Sequence, residues 1–135
     1  MKKWCGTAKI YVPDYTIRMA FVIKSADVPA RIVSQLAQRR TVAGQNLMIT
    51  CYEAKAGAEF EAHSHPEEQM GYVVKGRIEF FVGEPEERIV MEPGTFFRFA
   101  PNERHRSRVL EDLINIDVFA PPRPEYLSES AGKSD

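Results

Sequence analysis

The chain has 135 residues, of which 44% are hydrophobic and 27% charged, and its formal net charge is −1. This length suits a single domain with a sizeable core, and the near-neutral charge argues against a nucleic-acid partner. No apolar run is long enough to span a membrane, and the first residues lack the continuous apolar core of a signal peptide. Cys5 and Cys51 form no CxxC pair and are expected to be free thiols in a reducing compartment, so the predicted location is the cytoplasm.

The front of the chain is predicted in two parts. Residues 1–24 are expected to form an extension or arm, with a strand at residues 16–24. Residues 25–40 fit a helix that begins at Ser25 or Asp27, but the same stretch also fits a turn followed by an edge strand. We favour one short helical turn that continues into a strand.

Strand signals dominate from residue 46 onward. Seven short runs are rich in β-branched or aromatic residues, at 46–54, 70–74, 77–83, 88–91, 95–100, 105–109 and 113–120. Turn signals separate the runs, at 55–57, 75–76, 83–87, 92–94 and 100–103. Short strands at this spacing predict an all-β sandwich or barrel built from successive hairpins. The polar tail, residues 128–135, is expected to be flexible.

The segment EAHSHPEEQMG contains two histidines one residue apart, His63 and His65, and Gln69 follows four residues later. Side chains alternate along a strand, so both imidazoles would face one side, about 7 Å apart along the chain, and both can reach one metal ion. The third histidine, His105, lies near the start of another predicted strand, so all three can meet inside a barrel. A lone HxH pair is a weak sign of a metal site, and the surrounding spacing strengthens it.

That spacing resembles the cupin superfamily. The first cupin motif, G-x5-H-x-H-x3,4-E-x6-G, is matched over residues 57–76 by Gly57, His63, His65, Gln69 and Gly76. The departure is Gln69, which stands where the family usually has glutamate.

The second cupin motif, G-x5-P-x-G-x2-H-x3-N, is matched less closely over residues 94–109, by Gly94 and His105. Its departures are Pro101, which stands one place late, Asn102 at the second glycine position, and Val109 where Asn is common. The resemblance covers residues from about 46 to 120. It implies a single-domain double-stranded β-barrel, or jelly roll, with little helix, over residues 25–127.

The resemblance also implies one divalent metal ion, whose identity the sequence leaves open among zinc, nickel, iron and manganese. Its implied ligands are His63, His65, Gln69 and His105. Glu67 and Glu68 are the rivals of Gln69. We expect both to be solvated turn carboxylates, with coordination by Glu68 as the alternative.

A glutamine ligand leaves the ligand set without charge, so the ion keeps more of its positive field. A neutral set also does less to stabilise a ferric state. We therefore favour Lewis-acid chemistry over oxygen activation.

The last predicted strand places Asp117 and Phe119 on one side and an apolar row on the other: Ile114, Ile116 and Val118. A carboxylate in an apolar strand needs a partner or a function, because burying it unpaired is costly. A structural hydrogen bond or ion pair and a general-base role are both open for Asp117. The apolar row either packs against the opposite sheet or forms an outer face that something must cover.

The late pattern ID-x-F-x-P-x-R-x-x-[YF]-L resembles the pectin-degradation subgroup of small cupins. These proteins convert the unsaturated uronates released by pectin or alginate lyases into linear keto forms. The resemblance implies that Asp117 and Phe119 are the catalytic aspartate and its neighbouring aromatic, and that Arg123 binds the substrate carboxylate.

Two other functions stay open, because one barrel hosts many chemistries. They are a ferrous dioxygenase and a non-catalytic small-molecule sensor or storage barrel. The apolar row and the N-terminal strand suggest a homodimer with exchanged or abutting edge strands.

Two groups of arginines are candidate ligands for an acidic substrate. Arg39 and Arg40 are candidates for a carboxylate clamp if their segment is a barrel strand. Arg104, Arg106 and Arg108 are expected to form a solvated outer face, with a basic rim as the weaker option.

Overall fold

A computed structural model describes residues 2–4, 10–13 and 20–128 of the chain. These residues form ten strands and one short helix: β1 (Lys2–Trp4), β2 (Ile10–Pro13), β3 (Arg31–Ser34), β4 (Ala37–Ala43), β5 (Met48–Ala54), β6 (Glu59–His63), β7 (Glu68–Val82), β8 (Glu87–Met91), β9 (Phe96–Phe99), β10 (His105–Ala120) and α1 (Pro124–Ser128). The all-β jelly roll expected from the sequence is thereby confirmed.

The two longest strands, β7 and β10, run antiparallel to each other and belong to both layers of the barrel. The second half of β10 pairs with β5, which continues to β4 and β3, while β9 pairs with the first half of β7. The first half of β10 pairs with β6, and the second half of β7 pairs with β8. The main apolar core contains side chains from both layers, such as Val73 and Phe80, so the layers face each other.

The strands β7 and β10 each join two runs that the sequence predicts as separate strands. The turn predicted at residues 75–76 is therefore wrong. Gly76 has a φ of +83°, and a Cβ at this position would lie 2.1 Å from the main-chain oxygen of Asp112. The register also shifts between Val109 and Asn115 on the partner strand. Glycine and irregular pairing bend both strands from one layer into the other.

The front of the chain follows the favoured prediction. Residues Ser25–Asp27 form a single 3-10 turn, and β3 and β4 follow it, so the longer helix is not formed. The strand predicted at 16–24 is absent from residues 20–24, where Val22 is 87% exposed and Phe21 and Ile23 are only half-buried. The rest of that stretch, together with Cys5 and the tail from residue 129, lies outside the described residues.

The arm predicted for residues 1–24 contributes two strands to the same sheet. β2 pairs in parallel with β4 of the same chain, and β1 pairs antiparallel with β2. Within the described residues, no helix is long and apolar enough to cross a membrane.

The apolar row on β10 faces outward, so packing of this row against the opposite sheet is the wrong alternative. Ile116 lies between Cys51 and Tyr72, and Val118 lies between Ile49 and Met70. Phe96 on β9 continues the row beside Tyr72 and is 76% exposed. We call this surface the outer apolar patch; it comprises Ile49, Met70, Tyr72, Phe96, Ile116 and Val118.

The arginines near the start of β10 also face outward, as predicted. Arg104 pairs with Glu84 at 3.2 Å, and Arg106 pairs with Glu86 at 2.7 Å. Arg108 lies 3.9 Å from Glu59. They form an ion-paired surface away from the barrel interior.

Candidate metal centre

The three histidines come together at one end of the barrel. His63 ends β6 and His105 begins β10, and the register pairs these two residues. One ring nitrogen from each of His63, His65 and His105 lies within 4.8 Å of the others. His65 follows β6 instead of lying on it, because the chain turns at Pro66. The convergence expected from the sequence therefore depends on this turn as well as on strand alternation.

The main chain selects the tautomer of each histidine. The Nδ1 atoms of His63, His65 and His105 each lie 2.9 Å from a main-chain carbonyl oxygen two residues away. A carbonyl oxygen only accepts, so each Nδ1 carries the hydrogen and each Nε2 keeps its lone pair in the neutral ring. Burial lowers the pKa of His105 to about 4 and also lowers that of His65. Both rings therefore favour the neutral form that binds metals.

Gln69 completes the donor set, and Asp117 orients its amide. The Gln69 Nε2 donates to Asp117 Oδ1 at 3.1 Å, which turns the Gln69 Oε1 toward the histidines. That oxygen lies 3.2 Å from the Nε2 of His65. With the hydrogen of His65 on Nδ1, these two facing atoms are both acceptors. A cation bound by both would remove the repulsion, so the residues present fit a divalent metal ion.

Asp117 is a buried carboxyl group on the wall of a cavity that His63, Gln69 and His105 also line. Its Oδ2 accepts a hydrogen bond from Asn115 Nδ2 at 3.1 Å, in addition to the bond from Gln69. Burial raises the pKa of Asp117 to about 7, although both hydrogen bonds and the charge of Arg123 act in the opposite direction. A carboxyl group with a pKa near neutrality can both take up and release a proton.

Arg123 lies between β10 and α1 and reaches the same cavity. Its guanidinium carbon is 5.3 Å from the ring centroid of Phe119 and 4.6 Å from that of Tyr126. Its Nη1 donates to the Tyr126 hydroxyl at 3.2 Å. The three residues predicted to be catalytic, Asp117, Phe119 and Arg123, thus line one cavity of about 580 Å³ together with His63, Gln69 and His105.

The cavity has further polar wall residues, of which the sequence singled out only Arg39, as a candidate for a carboxylate clamp. Arg39, Tyr52 and Asn115 are register partners across β4, β5 and β10, and all three line the cavity. Arg39 stacks on Tyr126 at 4.0 Å, and the hydroxyls of Tyr52 and Tyr126 share a hydrogen bond. Burial raises the pKa of Tyr52 well above 10. The parity of Asn115 with Asp117 was the available signal, whereas Tyr126 depends on the position of α1.

Arg39 and Arg40 behave differently because they are neighbours on a strand. β4 buries Arg39 in the cavity wall and turns Arg40 outward. The Nη1 of Arg40 lies 2.7 Å from Glu53 Oε1 on the outer surface. Only Arg39 of this pair can contact a ligand in the cavity.

The two glutamates between His65 and Gln69 also face opposite sides of the barrel wall. Glu68 lies on the outside and pairs with Arg98, as expected. Glu67 is only 3% exposed, so its predicted solvated position is wrong. Its Oε1 is 3.6 Å from His65 Nδ1 and 3.8 Å from Arg123 Nε. The turn at Pro66 directs this side chain inward.

Two residues of the second motif contact histidines of the centre. Asn102 adopts a φ of +65°, the left-handed conformation that the usual glycine would take, and asparagine accepts it more readily than most residues. Its N–H donates to the main-chain oxygen of His65 at 2.8 Å. Phe99 stacks on the His105 ring with centroids 4.3 Å apart. Both contacts hold histidines at the centre.

The cupin-domain family model matches residues 51–118. The chain belongs to the cupin family. The structure is similar to that of KdgF from Halomonas sp., with 28% identity and a TM-score of 0.73, over 79% of this chain and 98% of that one. It is also similar to an RmlC-like cupin from Shewanella frigidimarina, with 24% identity and a TM-score of 0.71, over 77% of this chain and 93% of that one.

A third similar structure is oxalate decarboxylase from Bacillus subtilis, with 20% identity and a TM-score of 0.67. The match covers 73% of this chain but 28% of that longer chain, so it shows only the shared barrel fold. None of the curated proteins matches the chain significantly.

Proposed function

We propose that this cupin is a metal-dependent enzyme that performs isomerase- or lyase-type ring-opening chemistry on a small oxygenated acid, with an unsaturated uronate as the candidate substrate. The observation that carries the proposal is the buried pair of Gln69 and Asp117. One residue offers an amide oxygen to the histidine cluster, and the other holds a carboxyl group with a pKa near neutrality. A site of this kind combines an electrophile with an acid–base group.

The metal would be held by His63, His65, Gln69 and His105. All four donors are neutral, and nitrogen and oxygen donors suit several divalent ions. When bound, the ion supplies Lewis-acid polarisation of a substrate oxygen. Oxalate decarboxylase from Bacillus subtilis contains Mn(II) centres, but manganese is one candidate among several for this chain.

The remaining chemistry falls to the residues of the chain. Asp117 would take a proton from the carbon or hydroxyl beside the polarised oxygen and return it at the next carbon. Arg123 would bind the carboxylate of the substrate, since a guanidinium can hold a carboxylate by two parallel hydrogen bonds. Phe119 and Tyr126 would form the apolar wall that keeps water away from the reacting atoms.

The substrate class is supported by two likenesses to the same kind of small cupin. The late pattern around Asp117, Phe119 and Arg123 resembles the pectin-degradation subgroup, and KdgF from Halomonas sp. is 28% identical over 98% of its own length. We further propose that the catalytic unit is the barrel of residues 25–127. The protein is proposed to be cytoplasmic and to form a homodimer through the outer apolar patch.

The first experiment measures metal content by elemental mass spectrometry, for the untagged wild type and for the double variant His63→Ala/His105→Ala. We expect a nearly stoichiometric divalent metal in the wild type and its loss in the variant. A wild type that holds no metal even after reconstitution would contradict the enzyme proposal and favour a polar binding pocket.

The second part of the test is activity on the unsaturated monouronate produced by exhaustive lyase digestion of polygalacturonate. Loss of the ultraviolet absorbance of its conjugated double bond reports conversion to the linear keto form. Asp117→Asn, which keeps the hydrogen-bonding size of the side chain, should lose about 10²-fold or more in kcat and keep its metal. An iron-loaded protein that consumes oxygen with substrate would instead indicate the dioxygenase.

A further inference from the structure

Glu67 is a buried carboxylate that the proposed chemistry does not use. Its side chain is 3% exposed, and its Oε1 has no hydrogen-bond partner among the described residues. Removing a carboxylate from water costs several kcal/mol unless neighbouring positive groups compensate. The buried position of Glu67 therefore requires positively polarised partners, and two groups lie close to it in the structure.

These partners are the metal-ligand candidate His65 and the anion-binding candidate Arg123. Glu67 Oε1 lies 3.6 Å from His65 Nδ1 and 3.8 Å from Arg123 Nε. The Arg123 Nε is itself buried and lacks a hydrogen-bond partner, and the exposed Glu125 also places its Oε2 3.6 Å from it. Both Glu67 distances exceed a normal hydrogen bond by less than about 1 Å. The His65 Nδ1–H already donates to the Glu67 main-chain oxygen at 2.9 Å. A small movement of the carboxylate therefore either completes a hydrogen bond to Arg123 Nε or brings its negative charge closer to the His65 Nδ1–H.

We infer that Glu67 is a positioning residue that couples the metal centre to Arg123, so that metal binding and anion binding strengthen each other. The inference rests on the proposed function and extends it to a linkage between two parts of the site. A substrate carboxylate at Arg123 shares the guanidinium charge and releases Glu67 toward His65. A carboxylate acceptor beside the Nδ1–H makes the Nε2 of that ring a stronger metal ligand.

The reverse effect follows from thermodynamic linkage. A metal bound at Nε2 would withdraw electron density from the His65 ring, make its Nδ1–H a stronger hydrogen-bond donor and attract the Glu67 carboxylate. Arg123 is then less engaged by Glu67 and is more available to an incoming anion. The factor by which the anion improves metal binding must equal the factor by which the metal improves anion binding.

The test measures the apparent dissociation constant of the full-length protein for Zn²⁺, by competition with a chromophoric chelator, with and without D-galacturonate. In the wild type, galacturonate should lower the Zn²⁺ constant about 5-fold or more. Glu67→Gln keeps the side-chain shape and removes the charge. It should raise the Zn²⁺ constant about 10- to 100-fold and reduce the galacturonate effect to less than about 2-fold. Arg123→Gln should also abolish the galacturonate effect.

Glu68→Gln is the matched control. It makes the same change of charge one residue away, but the Glu68 carboxylate lies outside the barrel beside Arg98. Both of its readouts should equal those of the wild type, and a loss as large as that of Glu67→Gln would overturn the coupling. If circular dichroism shows that Glu67→Gln does not fold, the wild-type measurement decides. Absence of a galacturonate effect in the wild type would then overturn the inference.

The remaining outcomes separate the inference from the proposed function. Wild-type Zn²⁺ affinity or an intact galacturonate effect in Glu67→Gln overturns the inference and leaves the metal centre standing. A wild type that binds no Zn²⁺ overturns both.

Discussion

Asp117 and His105 are buried in the same cavity, and burial moves their pKa values in opposite directions. The pKa of Asp117 rises from 3.8 to about 7, so its stabilising effect is complete below pH 3.8 and is lost as the pH rises through 7. The pKa of His105 falls from 6.5 to about 4, so its effect is complete above pH 6.5 and is lost as the pH falls through 4. Between these values the two contributions to the free energy of unfolding oppose each other.

Asp117→Asn removes one of these opposing effects from the metal-free protein. The free energy of unfolding should then rise with pH between 4.5 and 6.5 more steeply than in the wild type, by about 1.4 kcal/mol per pH unit at most. Urea denaturation in the presence of a chelator, at several pH values, measures the slopes. The comparison uses slopes, so a uniform loss of stability in the variant does not affect it. Parallel curves would contradict the assigned pKa of Asp117.

At the scale of elements, the bend of β7 depends on one glycine. Gly76 has a φ of +83°, and a Cβ there would approach the main-chain oxygens of Asp112 and Glu111 to 2.1 and 2.8 Å. Gly76→Ala should therefore destabilise the protein by more than about 2 kcal/mol, because backbone strain adds to a clash that flexible side chains cannot relieve.

Gly94→Ala provides the control for that prediction. Gly94 has nearly the same φ, +87°, but a Cβ there meets no atom within 4 Å. Its cost should be about 1–2 kcal/mol, from backbone conformation alone. Thermal and urea denaturation of both variants give the difference, and equal losses would show that the contact with Asp112 does not matter.

The same bend shows how far sequence reasoning reaches. Alternation and turn residues predicted most of the strands after residue 46, although no run was assigned to β6, and motif spacing predicted the meeting of the three histidines. Lys75–Gly76 looks like a hairpin turn locally, and only the distant contact with Asp112 makes it a bend inside a strand. Glu67 was missed because the bend at Pro66 was expected to break the alternation, although Glu67 shares the parity of His65 and Gln69 and is buried with them. Arg39 and Tyr126 enter the cavity through the placement of β4 and α1, which the sequence left open.

At the scale of the whole molecule, the outer apolar patch is the surface through which a homodimer is expected to form. Met70 is 50% exposed, Ile49 44% and Phe96 76%, and the patch crosses the strands β5, β10, β7 and β9 of one layer. Contiguous apolar surface of this kind usually marks an interface. The structure pairs β2 with β4 within one chain, and the outer apolar patch makes abutting faces the arrangement to test for the expected homodimer.

Light scattering at micromolar concentration tests the homodimer. The wild type should have twice the mass of one chain. Met70→Lys/Phe96→Lys should have the mass of one chain, because a symmetric interface would bury two lysine ammonium groups from each copy without partners. Ile89→Lys is the matched control: it places the same side chain on β8 in the other layer, where Ile89 is 36% exposed, and it should stay dimeric. A monomeric wild type would refute the dimer. A monomer produced equally by Ile89→Lys would show that added charge, and not this patch, controls the association.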